Sequence, residues 1–268
     1  MVNSRQRVAH LLKAVENSYP GAVTRRFFEL QLTDKALGIS AQAFIALLPM
    51  LIVIISVVLK SDGEVVGEFL IDRFALAGVS REAVISLFAT TSAKVAVSWL
   101  AIIVTTLSAL SLARRLSAVF ASIFDVPKLP GRQVWRALVW IFVQVAMITA
   151  VAELRDLWRT SGVVLAVLAG ILLFVIWGGG EAFGLSLLVP SVGFRQLLAV
   201  GFLSGFGRIA LSSWAYFYMP RALDSQAAQY GAIGVTFALF TLILAGVILM
   251  LLSPLMVSTW VMRRSQDT

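Results

Sequence analysis

The chain of 268 residues contains no cysteine and a single histidine, His10. Without cysteine it can form no disulfide, no thiolate metal site and no cysteine nucleophile. One histidine cannot build a histidine metal cluster. His10 lies in the charged N-terminal segment, where we expect it to be solvated, so the usual Ser-His pair of a hydrolase is not expected either. The sequence also has no Walker A motif and no G-x-S-x-G motif, so it offers no signature of ATP hydrolysis or α/β-hydrolase chemistry. We therefore expect no enzyme activity, no catalytic residues, no metal site and no cofactor.

Charged residues are also scarce. They make up 13% of the chain, whereas 59% is hydrophobic and the mean hydropathy is +0.92. A soluble domain has about 25% charged and 45–50% apolar residues, so this composition predicts an integral membrane protein. The net charge of +8 is explained by the enrichment of lysine and arginine on the cytoplasmic side. We expect membrane lipids, anionic lipids among them, as partners, and no specific nucleic acid.

Long apolar runs predict an all-α membrane protein with six transmembrane helices in one domain over residues 36–262. A cytoplasmic amphipathic segment, 1–35, precedes this domain, and a cytoplasmic tail, 263–268, follows it. With both termini inside, the inner segments hold fourteen basic residues and the outer loops seven, as the positive-inside rule requires. The spans are expected at about 36–59, 95–113, 134–152, 162–189, 197–219 and 231–259.

Proline and glycine modify several of these spans. Pro49 and Pro254 are expected to kink the first and sixth helices. Gly178–Gly180 would end the fourth span, permit close helix packing, or leave backbone groups free at a cavity. Gly201 and Gly205 form a GxxxG pattern that allows helices to approach closely.

The connecting segments are expected to lie at the membrane surface. The N-terminal segment is predicted to form two amphipathic helices separated by a break at residues 17–21. Residues 60–94 are predicted to form two further amphipathic helices separated by Gly78. Residues 153–159 and 220–230 are expected to form short outer connections. After the second span, an amphipathic elbow carries cations expected to contact anionic headgroups: Arg114, Arg115, Lys128 and Arg132.

Arg208 is the full charge expected deepest in the membrane, because it lies at the middle of the fifth span. Such an arginine costs about 2.5–3.5 kcal/mol on insertion scales, so it must face protein, water or a counter-ion. It could pair with Glu181, bind helix-end carbonyl groups in a structural role, or meet an anionic solute or headgroup. Gln42 could form an interhelical hydrogen bond or line a cavity. The candidate substrate-binding residues are Arg208, Glu181, Gln42 and Gln144.

Three segments together resemble the YihY/BrkB family over about residues 20–262. Residues 40–49, Ser-Ala-Gln-Ala-Phe-Ile-Ala-Leu-Leu-Pro, resemble the small-residue first helix of the family. Ala113-Arg-Arg-Leu followed by Ile123-Phe-Asp-Val-Pro127 is similar to the family's elbow, and Tyr230-Gly-Ala-Ile-Gly234 to its closing signature. The resemblance implies a six-helix protein of the bacterial cytoplasmic (inner) membrane with cytoplasmic termini. Members have been described as a transporter, an envelope-integrity protein, a virulence factor and, historically, ribonuclease BN.

Two functions remain open from the sequence. The first is a transporter or binder of an unidentified anionic solute or lipid that contributes to envelope integrity. The alternative is a non-transporting membrane scaffold of an envelope-assembly complex. Neither the coupling ion nor the formation of a homo-oligomer follows from the sequence. The nuclease label has no support, because a zinc-dependent nuclease site needs histidine and acidic ligands that are missing here.

Overall fold

A computed structural model describes residues 18–54, 71, 76–89, 99–133, 135–144, 146–147 and 163–266. Over these residues the chain is helical, without a β-strand. This confirms the expected all-α class. Residues 135–144 and 146–147 are helical and are named α5, and a 3₁₀ helix, Gly131–Gln133, precedes them. The other helices are α1 (Tyr19–Glu29), α2 (Leu32–Ile54), α3 (Gly78–Ala89), α4 (Trp99–Phe124), α6 (Val163–Leu188), α7 (Phe194–Tyr230) and α8 (Ala232–Gln266).

Helix α1 begins inside the stretch that the sequence predicted to break the chain. The Ser18 side chain caps the helix by accepting a hydrogen bond from the Gly21 backbone N–H at 3.2 Å. Pro20 occupies the first turn, where a missing N–H is tolerated because the helix has no acceptor for it there. The expectation of a break at 17–21 is therefore wrong for residues 19–21, which start the helix.

Helix α4 contains parts of two elements that were predicted as separate. The described part of the expected second span and the first part of the amphipathic elbow form one continuous helix from Trp99 to Phe124. Lys128 and Arg132 of the elbow follow this helix. Asp125 then adopts a left-handed backbone conformation with φ 55°. The Val126 N–H bonds the Ala121 carbonyl at 3.0 Å, which is the six-to-one bond of a Schellman ending. The non-helical segment after this ending carries Lys128.

Helix α6 continues through the three glycines, so they do not end the fourth span. They allow close packing instead. A Cβ atom at Gly201 on α7 would overlap the Gly178 carbonyl oxygen, and one at Gly205 would lie 3.1 Å from the Phe174 ring. The missing side chains thus bring α6 and α7 together, as the GxxxG pattern predicts.

Helix α7 runs through Pro220 to Tyr230, so the expected outer loop at 220–230 is helical. The Arg221 side chain donates to the Phe217 carbonyl at 2.8 Å, one turn before it. Gly231 ends this helix in a left-handed conformation, φ 59°, and α8 begins at once. Gly234 lies against the Gln226 carbonyl, where a Cβ atom would clash.

Four of the described helices contain stretches long and apolar enough to cross a membrane: Thr106–Phe124, Gly170–Leu188, Phe194–Tyr230 and Ala232–Ser265. The length and apolar composition of these four helices indicate that the protein is embedded in a membrane. Pro254 lies within α8 and Pro49 within α2, and both helices continue past their proline. The predicted helix at 8–15, with His10, the first amphipathic helix of 60–94 and the connection at 153–159 fall wholly or mostly outside the described residues.

The chain divides into two compact units, and each contains parts of the long helices. Unit 1 comprises residues 1–36, 116–205 and 248–268, and unit 2 comprises 37–115 and 206–247. In unit 2, α3 packs on α7 and α8 through a core in which Met219 and Leu223 are 1% exposed and Val235 is fully buried. In unit 1 the largest buried side chains include Phe120, Leu185 and Leu255.

Candidate functional site

Arg208 lies in unit 2 on α7, and its side chain is partly buried. Ala215 and Met219, which follow it by seven and eleven residues on the same helical face, are 5% and 1% exposed. Phe206 and Ile209, on the other side of the helix, are 67% and 55% exposed. Arg208 therefore belongs to the inward face of α7.

Glu181 and Gln144 lie in unit 1. Glu181, on α6, is 3% exposed. The Gln144 Oε1 atom on α5 is buried and accepts no hydrogen bond within the described part of the chain. It lies 3.7 Å from the position that a Cβ atom of Gly184 would take. Glu181 precedes Gly184 by three residues, so the two positions are neighbours on one face of α6.

Gln42 and Arg115 hold α2 to α4 within unit 2. The Gln42 Nε2 atom donates to the Ser111 hydroxyl at 2.9 Å, which is the interhelical hydrogen bond that was one of the two alternatives for this residue. The Arg115 Nη1 atom donates to the Gly38 carbonyl at 3.3 Å. A side chain at position 38 would overlap the Arg115 guanidinium. Arg114 is exposed.

Arg26 donates three hydrogen bonds within the described part of unit 1, and the sequence did not single it out. Its Nη1 atom donates to the hydroxyls of Ser258 and Thr259 on α8, both at 3.1 Å. Its Nη2 atom donates to the Ile123 carbonyl near the end of α4 at 3.0 Å. Burial lowers the pKa of Arg26, while the negative charges of Glu29 and Asp125 act in the opposite direction. Arg26 thus joins α1 to two other helices.

Lys35 lies in the first turn of α2, beside the end of α4. Its Nζ atom donates to the Ser122 hydroxyl at 3.1 Å, and that hydroxyl donates to the Val119 carbonyl at 2.7 Å. Burial lowers the pKa of Lys35, and the positive charge of Lys128 lowers it further. The side chains of Lys128 and Arg132 are exposed.

Exposed aromatic side chains accompany the cations of unit 1. Trp135 is 54% exposed, and the Arg136 guanidinium lies 5.5 Å from its ring centroid. Trp260 is 53% exposed, and the Arg264 guanidinium lies 5.4 Å from its ring centroid. Tryptophan beside arginine is typical of the membrane–water interface, where the ring meets lipid and the charge meets headgroups.

The structure separates the four predicted substrate-binding residues into two sets. Gln42 and Arg208 belong to unit 2, and Gln144 and Glu181 to unit 1. Among the described residues, no group of three or more histidine, cysteine, aspartate or glutamate side chains could hold a metal ion. No family model matches the chain, and neither a curated protein nor a solved structure matches it.

Proposed function

We propose that this chain is a six-span protein of the bacterial cytoplasmic membrane, with both termini in the cytoplasm, that binds an anionic solute or lipid and moves it across the membrane. A contribution to envelope integrity is the role that the YihY/BrkB resemblance implies. The four apolar helices, the distribution of basic residues along the sequence and the inward position of Arg208 support the proposal.

The position of Arg208 is the observation that carries this function. It places a guanidinium on the same face of α7 as the buried Ala215 and Met219, within an apolar helix of 37 residues. A permanent positive charge inside the membrane is costly wherever it lies, and it lowers the energy of an anion beside it. Arginine suits phosphate and carboxylate groups because its planar fork can form two parallel hydrogen bonds.

Reconstitution of the purified protein in liposomes tests this function. We would measure the loss of fluorescence of a labelled phosphatidylglycerol when dithionite is added outside, and chloride efflux in parallel. We expect wild-type protein to accelerate at least one of the two processes. Arg208→Ala should slow it about tenfold or more, because a charge-assisted hydrogen bond contributes about 1.5–3 kcal/mol. Arg208→Lys, which keeps the charge but not the fork, should be intermediate.

Arg221→Ala is the matched control, because Arg221 lies on the same helix, is exposed and bonds a carbonyl of its own helix. It should retain wild-type rates. Equal rates for Arg208→Ala and wild type would refute the role of Arg208. A wild-type protein that moves neither lipid nor chloride would refute transport of these probes and favour the scaffold.

A further inference from the structure

Helix α7 is too long to lie within the hydrocarbon core of a membrane along its whole length. Its 37 residues rise about 55 Å at 1.5 Å each, whereas the core is about 30 Å thick. A tilt of 40°, the upper end of the usual range, still leaves about 42 Å along the membrane normal. Helix α8, with 35 residues, exceeds the core by a similar amount. Part of each helix therefore lies outside the core.

Four exposed aromatic side chains in the second half of α7 form what we call the aromatic patch: Trp214, Tyr216, Phe217 and Tyr218, which are 43–66% exposed. The rings of Trp214 and Tyr218 stack, with centroids 4.6 Å apart and an interplanar angle of 17°. Tyr216 and Phe217 meet edge to face, with centroids 5.3 Å apart. Tryptophan and tyrosine each combine an apolar ring with a polar atom, and they are enriched where hydrocarbon meets water.

The exposed side chains of α7 change character at the aromatic patch. Before it, the exposed Phe206 and Ile209 are apolar. After it, the exposed side chains include those of Asp224, Ser225 and Gln229. A charged side chain is costly in the hydrocarbon core, whereas exposed apolar side chains are suited to contact with lipid. The boundary of the membrane along α7 therefore falls between these two groups, at the aromatic patch.

Contacts between α7 and α8 show which part of α8 reaches the same boundary. A Cβ atom at Gly234 would overlap the Gln226 carbonyl, and one at Gly246 would lie 3.7 Å from the Leu211 side chain. The two helices therefore run antiparallel, and the patch is level with about residues 240–245 of α8. The end of the α7–α8 hairpin, about residues 219–239, extends beyond the patch.

Helix α3 covers this end of the hairpin. Its Val84 packs in one core with Leu223 of α7 and Val235 of α8, while Arg81 and Glu82 of α3 are exposed. Apolar side chains inside and charged side chains outside are typical of helices that pack together in water. The part of unit 2 beyond the patch thus has the construction of a water-exposed structure.

We propose that the aromatic patch lies among the lipid headgroups at one membrane surface, and that hairpin residues 219–239 and α3 form a cap in the water beyond it. Arg208 precedes Trp214 by six residues, about 9 Å of helix, and stays inside the hydrocarbon core. The sixth span then begins near residue 240 rather than at 231, and Ile233, which is 66% exposed, contacts water. This arrangement goes beyond the proposed function, because it does not depend on the movement of an anion.

Spin labels at single introduced cysteines test this arrangement, since the chain has no cysteine of its own. Ile209→Cys and Ile233→Cys are a matched pair, because both positions hold isoleucine and are 55% and 66% exposed. Phe217→Cys places a label in the patch and leaves its other three rings unchanged. Each labelled chain is reconstituted in liposomes of phosphatidylcholine and phosphatidylglycerol. Electron paramagnetic resonance then measures collisions of the label with oxygen, which concentrates in hydrocarbon, and with a polar nickel chelate present on both sides.

We expect the nickel-to-oxygen collision ratio to rise from position 209 through 217 to 233. The ratio at 233 should exceed that at 209 at least about tenfold, because hydrocarbon excludes a polar chelate. Thermal unfolding in detergent shows whether each variant keeps the wild-type fold, and Phe206→Cys with Gln229→Cys replaces the pair if either isoleucine variant unfolds. A smaller or reversed difference, or a ratio at 217 outside the range of the other two, would overturn the proposal. These measurements involve no transport, so this proposal and the role of Arg208 can fail separately.

Discussion

Arg26 shows how one side chain can link helices that are far apart in the sequence. Its partners on α8 are 232 and 233 residues away, and its partner on α4 is 97 residues away. Each hydroxyl partner also donates to the Leu255 carbonyl, at 3.1 Å for Ser258 and 2.7 Å for Thr259. Because each hydroxyl hydrogen is directed to Leu255, each hydroxyl oxygen is oriented to accept a hydrogen bond from the guanidinium. The cation also lies at the C-terminal end of α4, where the helix dipole favours positive charge.

We predict that Arg26→Ala destabilises the protein by about 1–3 kcal/mol, since three charged hydrogen bonds are lost at a group that remains partly in contact with solvent. The melting temperature in detergent should fall by several degrees. Arg25→Ala removes the neighbouring arginine, which is exposed and bonded only to Glu29 in the described structure. That change should cost no more than about 0.5 kcal/mol. Equal melting temperatures for the two variants would show that the Arg26 contacts contribute nothing to stability.

The sequence predicts a residue's environment where a local pattern determines it. The apolar run around Arg208 indicates a partly buried arginine, and the interhelical hydrogen bond of Gln42 was one of two alternatives for a polar residue in a span. Arg26 looked like one of several N-terminal cations, because nothing near it in sequence identifies Ser258 or Ile123 as partners. Such contacts depend on how distant helices pack, which the periodicity of a single helix does not determine.

At the scale of the helix, the glycines of α6 and α7 have different roles that position alone does not reveal. Gly201 lies directly against the Gly178 carbonyl, whereas a Cβ atom at Gly179 would have no atom within 4 Å. Gly180 and Gly178 face the flexible side chains of Met147 and Phe202. Among these four glycines, it is at Gly201 that an added methyl group would meet backbone, which cannot move without separating the two helices.

We therefore predict opposite outcomes for two glycine-to-alanine changes. Gly201→Ala should destabilise the protein by about 1–3 kcal/mol, because the overlap with the Gly178 carbonyl forces α6 and α7 apart. Gly179→Ala should leave stability unchanged or raise it by up to about 1 kcal/mol, because alanine favours the helix and meets no neighbour. Thermal unfolding of both variants in the same detergent checks this. A Gly201→Ala protein as stable as Gly179→Ala would mean that the helices are less closely packed than described.

At several helix boundaries, packing against neighbouring helices outweighs the local signal of glycine or proline. A run of glycines weakens an isolated helix, yet α6 continues through it because the close contact with α7 compensates. Pro220 indicates a helix end in water, but α7 continues beyond it to Ala227, which is buried in the core of unit 2. Pro20 was predicted to interrupt the chain, but it lies in the first turn of α1, where proline is compatible with the start of a helix. Four described helices contain apolar stretches long enough to span a membrane, as the sequence predicted for these segments. The polar boundaries at 19–21 and 220–230 were predicted wrongly, because the neighbouring helices decide where a helix stops.

At the scale of the whole molecule, composition and hydropathy predict the class, and four described helices are long and apolar enough to span a membrane. The proposed number of spans depends on the apolar runs of the sequence. The proposed orientation depends on the distribution of basic residues, which acts while the chain inserts and does not alter the geometry of the helices. A topology experiment is therefore required. The absence of cysteine makes the protein suitable, because one introduced thiol at a time can be labelled without background.

We predict that Ser225→Cys reacts with a membrane-impermeant maleimide in intact spheroplasts, whereas Ser191→Cys and Ser265→Cys react only after permeabilisation. All three serines are exposed. Ser191 and Ser225 flank the apolar part of α7, so labels on opposite sides would show that α7 crosses the membrane with Arg208 inside it. Ser265 lies in the last turn of α8 and should share the side of Ser191. Labelling of Ser191→Cys and Ser265→Cys in intact spheroplasts, with Ser225→Cys protected, would reverse the orientation. Labelling of Ser191→Cys and Ser225→Cys from the same side would mean that α7 does not span, and Arg208 could then no longer serve as a charge within the membrane.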